Sequence, residues 1–172
     1  MKKVFKYLLL SGVIFSLLLC AACGQNKNFG SDITAEQILS VASTAQSYDN
    51  NKTYIKGNVE MDTFTMSMWS DGVFDECQEF GLISDYAICY SNDNNTFEIS
   101  VLKAEKKEDA SKLVSLLERR KQTLATGDKA AYDPEFEMLL EKSEILVCDS
   151  FVILLITQNN DAVISAIETL KK

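Results

Sequence analysis

The chain has 172 residues, 47% of them apolar and 24% charged, with a mean hydropathy of −0.03. That composition fits a globular domain and excludes a collagenous, disordered or multi-pass membrane chain. It contains no histidine, which rules out a His-based triad, a histidine proton shuttle and any zinc site that needs imidazole. Seventeen basic residues against 25 acidic ones give a net charge of −8, which argues against nucleic acid as a partner.

Lys2, Lys3 and Lys6 form a positive start, followed by an apolar run from Tyr7 to Leu19 and the small residues Ala21 and Ala22 before Cys23. This order reads as a secretory signal peptide over 1–22. The run has 13 residues, against about 20 for a membrane-spanning helix. The boundary Leu19-Cys20-Ala21-Ala22-Cys23-Gly24 resembles the lipobox of bacterial lipoproteins, although Cys20 stands where that family prefers leucine. The resemblance implies a diacylglyceryl group on Cys23, cleavage just before it, and a partner in the membrane itself. Cys20 fits the role poorly, because Leu19 precedes it where a small residue is required. Cleavage takes away three lysines and no acids, so the net charge moves from −8 to −11. Residues 23–31 then form a lipidated cysteine and polar tether, and 32–172 a single domain.

Thr34-Ala-Glu-Gln37 reads as a capping box, and Ile38, Val41, Ala42 and Ala45 predict a helix near 34–47. From Tyr54 to Trp69 the pattern is weakly extended, with Phe64, Met66 and Met68 on one face. A short helix is expected after Ser70, with Val73, Phe74, Cys77 and Phe80 inward and Gly81 as its stop. Tyr86–Tyr90 and Phe97–Leu102 predict two strands, the second with Phe97, Ile99 and Val101 on its buried face. Ala110, Leu113, Val114, Leu117 and Leu124 form a helical stripe over 107–124. Asp133-Pro134 opens a short helix. Ile145–Cys148 and Phe151–Thr157 predict a hairpin about Asp149-Ser150. The run Phe151–Ile156 is apolar at every position, which places it centrally in the sheet. Asn160 is expected to cap a last helix with Val163, Ala166, Ile167 and Leu170 inward. The expected fold class is α+β: an antiparallel sheet with helices packed on one face and a possible strand-strand-helix pseudo-repeat.

Trp69–Leu170 resembles a catalogued domain of unknown function (domain-of-unknown-function family 4358) found in lipoproteins of Gram-positive anaerobes. The resembling residues are Phe97–Ala104, the helix with Arg119-Arg120, Tyr132-Asp133-Pro134, and Phe151–Ile156 before Asp161. The resemblance implies an extracytoplasmic lipoprotein and no assigned activity, ligand or catalytic residue.

Candidate chemistry is sparse. Cys77, Cys89 and Cys148 match no metal spacing and are expected as core thiols, with one disulfide as the alternative. Met61, Met66 and Met68 beside Trp69 hold thioethers suited to Cu(I), but such methionines are more often core. Asp93-Asn94-Asn95 lacks the EF-hand spacing for Ca²⁺ and reads as a turn. Arg119-Arg120-Lys121 could take a phosphate, but its place late in a helix favours a solvated face that complements the macrodipole. No catalytic residue, cofactor or metal is expected. The expected function is a non-enzymatic interaction or ligand-binding domain, lipid-anchored at Cys23 on the extracytoplasmic face of the cell membrane, with a neighbouring envelope protein as a possible partner. The alternatives are a small envelope hydrolase that uses two carboxylates and a transporter-associated solute-binding component.

Overall fold

The computed structural model describes residues 28–71, 77–92, 97–127 and 133–172. The signal segment, Cys23, Val73, Phe74, Tyr132 and the loop Asp93-Asn94-Asn95 lie outside them. In chain order the elements are α1 (Ala35–Ala45), β1 (Asn51–Ile55), α2 (Thr63–Ser70), a 3-10 turn (Gln78–Leu82), β2 (Ile83–Ser91) and β3 (Glu98–Ala104). They continue with a 3-10 turn (Lys107–Asp109), α3 (Ala110–Thr126), α4 (Pro134–Glu141), β4 (Glu144–Cys148), β5 (Phe151–Ile156) and α5 (Asn160–Glu168).

The five strands form one antiparallel sheet in the order β1-β2-β3-β5-β4. The fold is therefore α+β, as expected. The helices, however, cover both faces and not one. Along β5, Val152, Leu154 and Ile156 point into a core shared with α2, α3 and α4 through Met66, Trp69, Leu113, Leu117 and Phe136. Phe151, Ile153 and Leu155 point into a second core closed by α1 and α5 through Ile38, Ala42, Val163 and Ile167. All six β5 residues are buried because a layer of helix lies over each parity of the strand. β5 lies inside the sheet between β3 and β4, while β3 is the middle strand.

The pseudo-repeat survives in the strands and fails in the helices. The β2-β3 and β4-β5 pairs meet through antiparallel β3 and β5 in the register Ser100↔Leu154. The helices that follow then go to opposite faces, α3 to the first core and α5 to the second.

Local signals explain most of the elements. Thr34 and Gln37 make the reciprocal capping box that starts α1. Asp133 accepts from the amides of Glu135 and Phe136, with Pro134 in the first turn of α4. The Asp149-Ser150 turn closes the last hairpin with Asp149 at a φ of +57°, a region that aspartate tolerates. Two expectations shift. The segment expected to be extended up to Trp69 contains α2, nucleated by Asp62, whose side chain accepts from the Thr65 amide. The cap of α5 is Asn159, which accepts from the Ala162 amide. The adjacent Asn160 is buried, where it accepts from the Thr157 hydroxyl and donates to the Lys142 carbonyl.

Phe29, assigned by sequence to the polar tether, is a core residue. It is 8% exposed, meets Phe151 edge-on at 5.2 Å and bridges to Lys171. The Lys172 amide also donates to the Asn28 carbonyl at 3.2 Å. The chain thus enters the second core at Phe29.

Leu154 is fully buried between α3 and the sheet. Leu154→Asp places an uncompensated charge there at a cost of several kcal/mol, comparable with a total stability of about 5–15 kcal/mol. The variant should show no cooperative thermal transition by circular dichroism, and a wild-type-like melt would contradict the two-sided core.

Candidate functional site

Among the described residues the most buried charge pair, Glu98 with Arg120, links β3, α2 and α3. Glu98 is 1% exposed although its sequence position reads as the outer face of β3. Its Oε2 accepts from Arg120 Nε at 3.0 Å and Nη2 at 2.7 Å. Its Oε1 accepts from Trp69 Nε1 at 3.1 Å and from the Ser100 hydroxyl at 2.7 Å. Arg120 also donates from Nη1 to the Trp69 carbonyl at 2.8 Å and lies over the rings of Trp69 and Tyr90. Four donors therefore saturate the two carboxylate oxygens, and the guanidinium spends its fork on one partner.

Arg119 turns to the other side of α3. Its Nε donates to Asp71 at 2.7 Å and its Nη2 to Glu79 at 2.9 Å. These two carboxylates are the nearest approach to the hydrolase alternative, and both have oxygens engaged by the same guanidinium. Lys121 lines a surface groove of about 650 Å³ between α3 and α4, together with Glu118, Gln122, Glu137 and Glu141. The Arg119-Arg120-Lys121 run is thus neither a phosphate cradle nor a solvated face. It is split among two ion-pair clusters and a groove wall.

The three thiols stand apart. Cys77 belongs to the first core, Cys89 and Cys148 to the second, and none is in a disulfide. Cys89 pairs in register with Ile99, and Ile99 with Leu155, whereas Cys148 pairs with Phe151. The two are therefore about four residues apart along the sheet and three strands across it. That is roughly 13 Å by 14 Å, well beyond the ~7 Å limit for a bridge. Burial pushes the Cys77 thiol up, and Glu79 raises it further. Burial likewise raises Cys89, against a hydrogen bond with Thr53. Both effects disfavour the nucleophilic thiolate.

Met61 and Met66 are core residues, 2% and 0% exposed. Met66 and Met68 sit two residues apart on α2, so they point in different directions and do not share a strand face. Among the described residues no group of three or more Cys, Asp or Glu side chains is placed to hold a metal. No family model, no curated protein and no solved structure matches the chain. The likeness of Trp69–Leu170 to a lipoprotein-borne domain rests on its residue pattern alone.

The Glu98–Arg120 pair generates a clear stability contrast. Arg120→Met leaves Glu98 buried with half its donors gone, and should destabilise the domain by about 3–5 kcal/mol in urea unfolding. The double variant Glu98→Leu/Arg120→Met removes both charges and should regain most of that loss. Equal losses in the single and double variants would mean that packing, and not the charge pair, dominates.

Burial also raises the hydroxyls of Tyr48, Tyr86 and Tyr90, and pushes Tyr90 from 10.0 up to about 12 with help from the adjacent Tyr54. A group whose folded pKa lies above its unfolded value holds its proton longer in the native state. Its stabilisation is complete below the unfolded pKa and lost as pH rises through the folded one. Urea midpoints should therefore fall between pH 10 and 12, and Tyr90→Phe should flatten that fall. A profile unchanged by Tyr90→Phe would remove this tyrosine as a cause.

Proposed function

We propose that this chain is an extracytoplasmic lipoprotein anchored through Cys23, whose folded domain works by contact with a neighbouring envelope component and not by catalysis. The observation that carries the reading is the join between signal and fold. A charged start, an apolar run and Ala21-Ala22 precede Cys23, and only Gly24–Lys27 separate that cysteine from Asn28, the first described residue. A thioether on Cys23 therefore holds the domain directly at a bilayer. No described helix is long and apolar enough to cross a membrane, and this reading places the attachment in the lipid on Cys23. A single acyl chain binds reversibly, and two chains give stable anchoring.

Support for contact over chemistry comes from how the reactive groups are used. Glu98, Asp71 and Glu79 are held by arginines, and Cys77 and Cys89 are pushed away from thiolate. Confinement at the membrane raises the effective concentration of any partner held there.

Cell fractionation with mass analysis tests the anchor. Wild type should partition with membranes and carry a diacylglyceryl mass on Cys23, whereas Cys23→Ala should lose that modification and leave the membrane fraction. A Cys23→Ala protein that keeps a lipid-modified terminus would overturn the assignment. Turnover of a wall glycan by the purified domain, abolished by Glu79→Gln, would replace contact with hydrolysis.

A further inference from the structure

We propose that the end of the sheet bearing Phe29, Phe151 and the lysines around them is the membrane-facing surface, seated on anionic lipid headgroups beside the protein's own anchor. The inference rests on the Cys23 lipid reading and deepens it by assigning an orientation.

The first argument is reach. Five residue steps separate Cys23 from Asn28, and a fully extended chain covers at most about 18 Å in that number. The polar layer of one leaflet takes up roughly 5–7 Å of it. Asn28 therefore stays within about 13 Å of the headgroup surface, whereas a body of this size has a radius of gyration of about 15 Å. Such a short leash fixes which end of the body looks down. It acts on a firm point of the fold, because Phe29 is locked against Phe151 and Lys171 and the Asn28 carbonyl accepts from Lys172.

The second argument is charge. The protein is strongly acidic, yet lysines gather at this end. Lys171 Nζ lies 5.8 Å from the Phe29 ring centre and Lys103 Nζ 4.8 Å from that of Phe151. Lys107 pairs with Asp149 in the adjacent turn, and the exposed Lys106 and Lys172 flank the same surface. Acids are also present: Asp32, Asp85 opposite Lys103, Glu105, Glu108, Asp149, and Glu168, which pairs with Lys171 at 3.6 Å. The lysines thus offset most of the acid at this end, which weakens its repulsion by anionic lipid.

The opposite end holds Glu98 and Ile156, five residues further along their strands from the paired Lys103 and Phe151. That places it about 17 Å higher along the strand direction.

The test uses the full lipidated chain in vesicles of phosphatidylcholine and phosphatidylglycerol that contain a headgroup-labelled acceptor lipid. A donor fluorophore is attached to Glu108→Cys at the proposed lower end or to Gln158→Cys at the far end. The unsubstituted protein reports any labelling of the buried native thiols. Energy transfer at position 108 should exceed that at 158 at least about twofold, given the ~17 Å offset along the strands. Equal or reversed transfer, with the protein bound to the vesicles, would overturn the orientation. Loss of transfer at both positions, with the protein in the supernatant and no lipid mass on Cys23, would remove the anchor and the orientation with it. Lys106→Gln/Lys172→Gln should narrow the difference between the two positions in these vesicles and leave it unchanged in phosphatidylcholine alone. An unaltered difference in the anionic vesicles would overturn the part given to the lysines.

Discussion

Two-sided burial of the sheet is the constraint on which the rest of the architecture depends. An interior strand between two helical layers needs a side chain that tolerates the core at every position, and β5 supplies six. β3 is buried at every position except Lys103, whose ammonium lies 4.8 Å from the Phe151 ring centre and donates to the Ile33 carbonyl. The edge strands β1 and β4 bury fewer of their positions. Each helix stripe then answers one parity of the sheet. α3 presents Leu113, Leu116 and Leu117 to one face, and α1 presents Ile38, Leu39 and Ala42 to the other.

Glu98 is the place where that rule is broken. A carboxylate on the middle strand is tolerable only because four donors converge on it from α2, α3 and its own strand. The same requirement makes the residue specific about register. Sliding β3 by one position would turn Glu98 into the second core, among Cys89, Ile153 and Leu155, where no arginine or tryptophan waits. The pair also couples layers: losing Arg120 would disturb Trp69, and with it the docking of α2 on α3. A buried ion pair is weak evidence for stability, but here it ties a strand register to a helix position.

Much of the fold was legible in the sequence where a single element carries its own signal. The capping box at Thr34, the Asp133-Pro134 start and the stripe of α3 are local chemistry, and each element stands where its signal lies. The even run Phe151–Ile156 also contained the answer to the layering, since a strand apolar at both parities requires cover on both faces. Misreadings came where local pattern and long-range partner disagree. Phe64, Met66 and Met68 alternate like a strand, yet the Asp62 cap and the packing of Met66 and Trp69 select a helix. Glu98 and Ser100 look like the wet face of a strand because their partners lie 22 and 29 residues away from Glu98, at Arg120 and Trp69. Phe29 is one aromatic in a polar stretch, and only Phe151 and Lys171 reveal its purpose. The proposed lipidation at Cys23 belongs to a different category, since its signal is a linear pattern of residues.

The two ends of the sheet are built differently, and the difference bears on where a partner can be met. The Phe29 end is occupied by the entering chain, by Lys171 and Lys172, and by the short turns after β3 and between β4 and β5. A leash of a few residues would keep that end against lipid and deny it to proteins. The other end collects the loops beside Glu98, and these are cross-tied. Gln46 accepts from the Asn159 amide, the Asn92 amide donates to the Asn50 carbonyl, and Asn160 reaches the Lys142 carbonyl. Ties of this kind, set near the Glu98–Arg120 pair, connect the described segments around Gln46, Asn50, Lys142 and Asn159, which lowers the ordering cost of a contact made on them. If Cys23 is lipidated as proposed, a domain held at one end and cross-tied at the other would be suited to meeting a partner whose binding surface stands one domain's height above the bilayer.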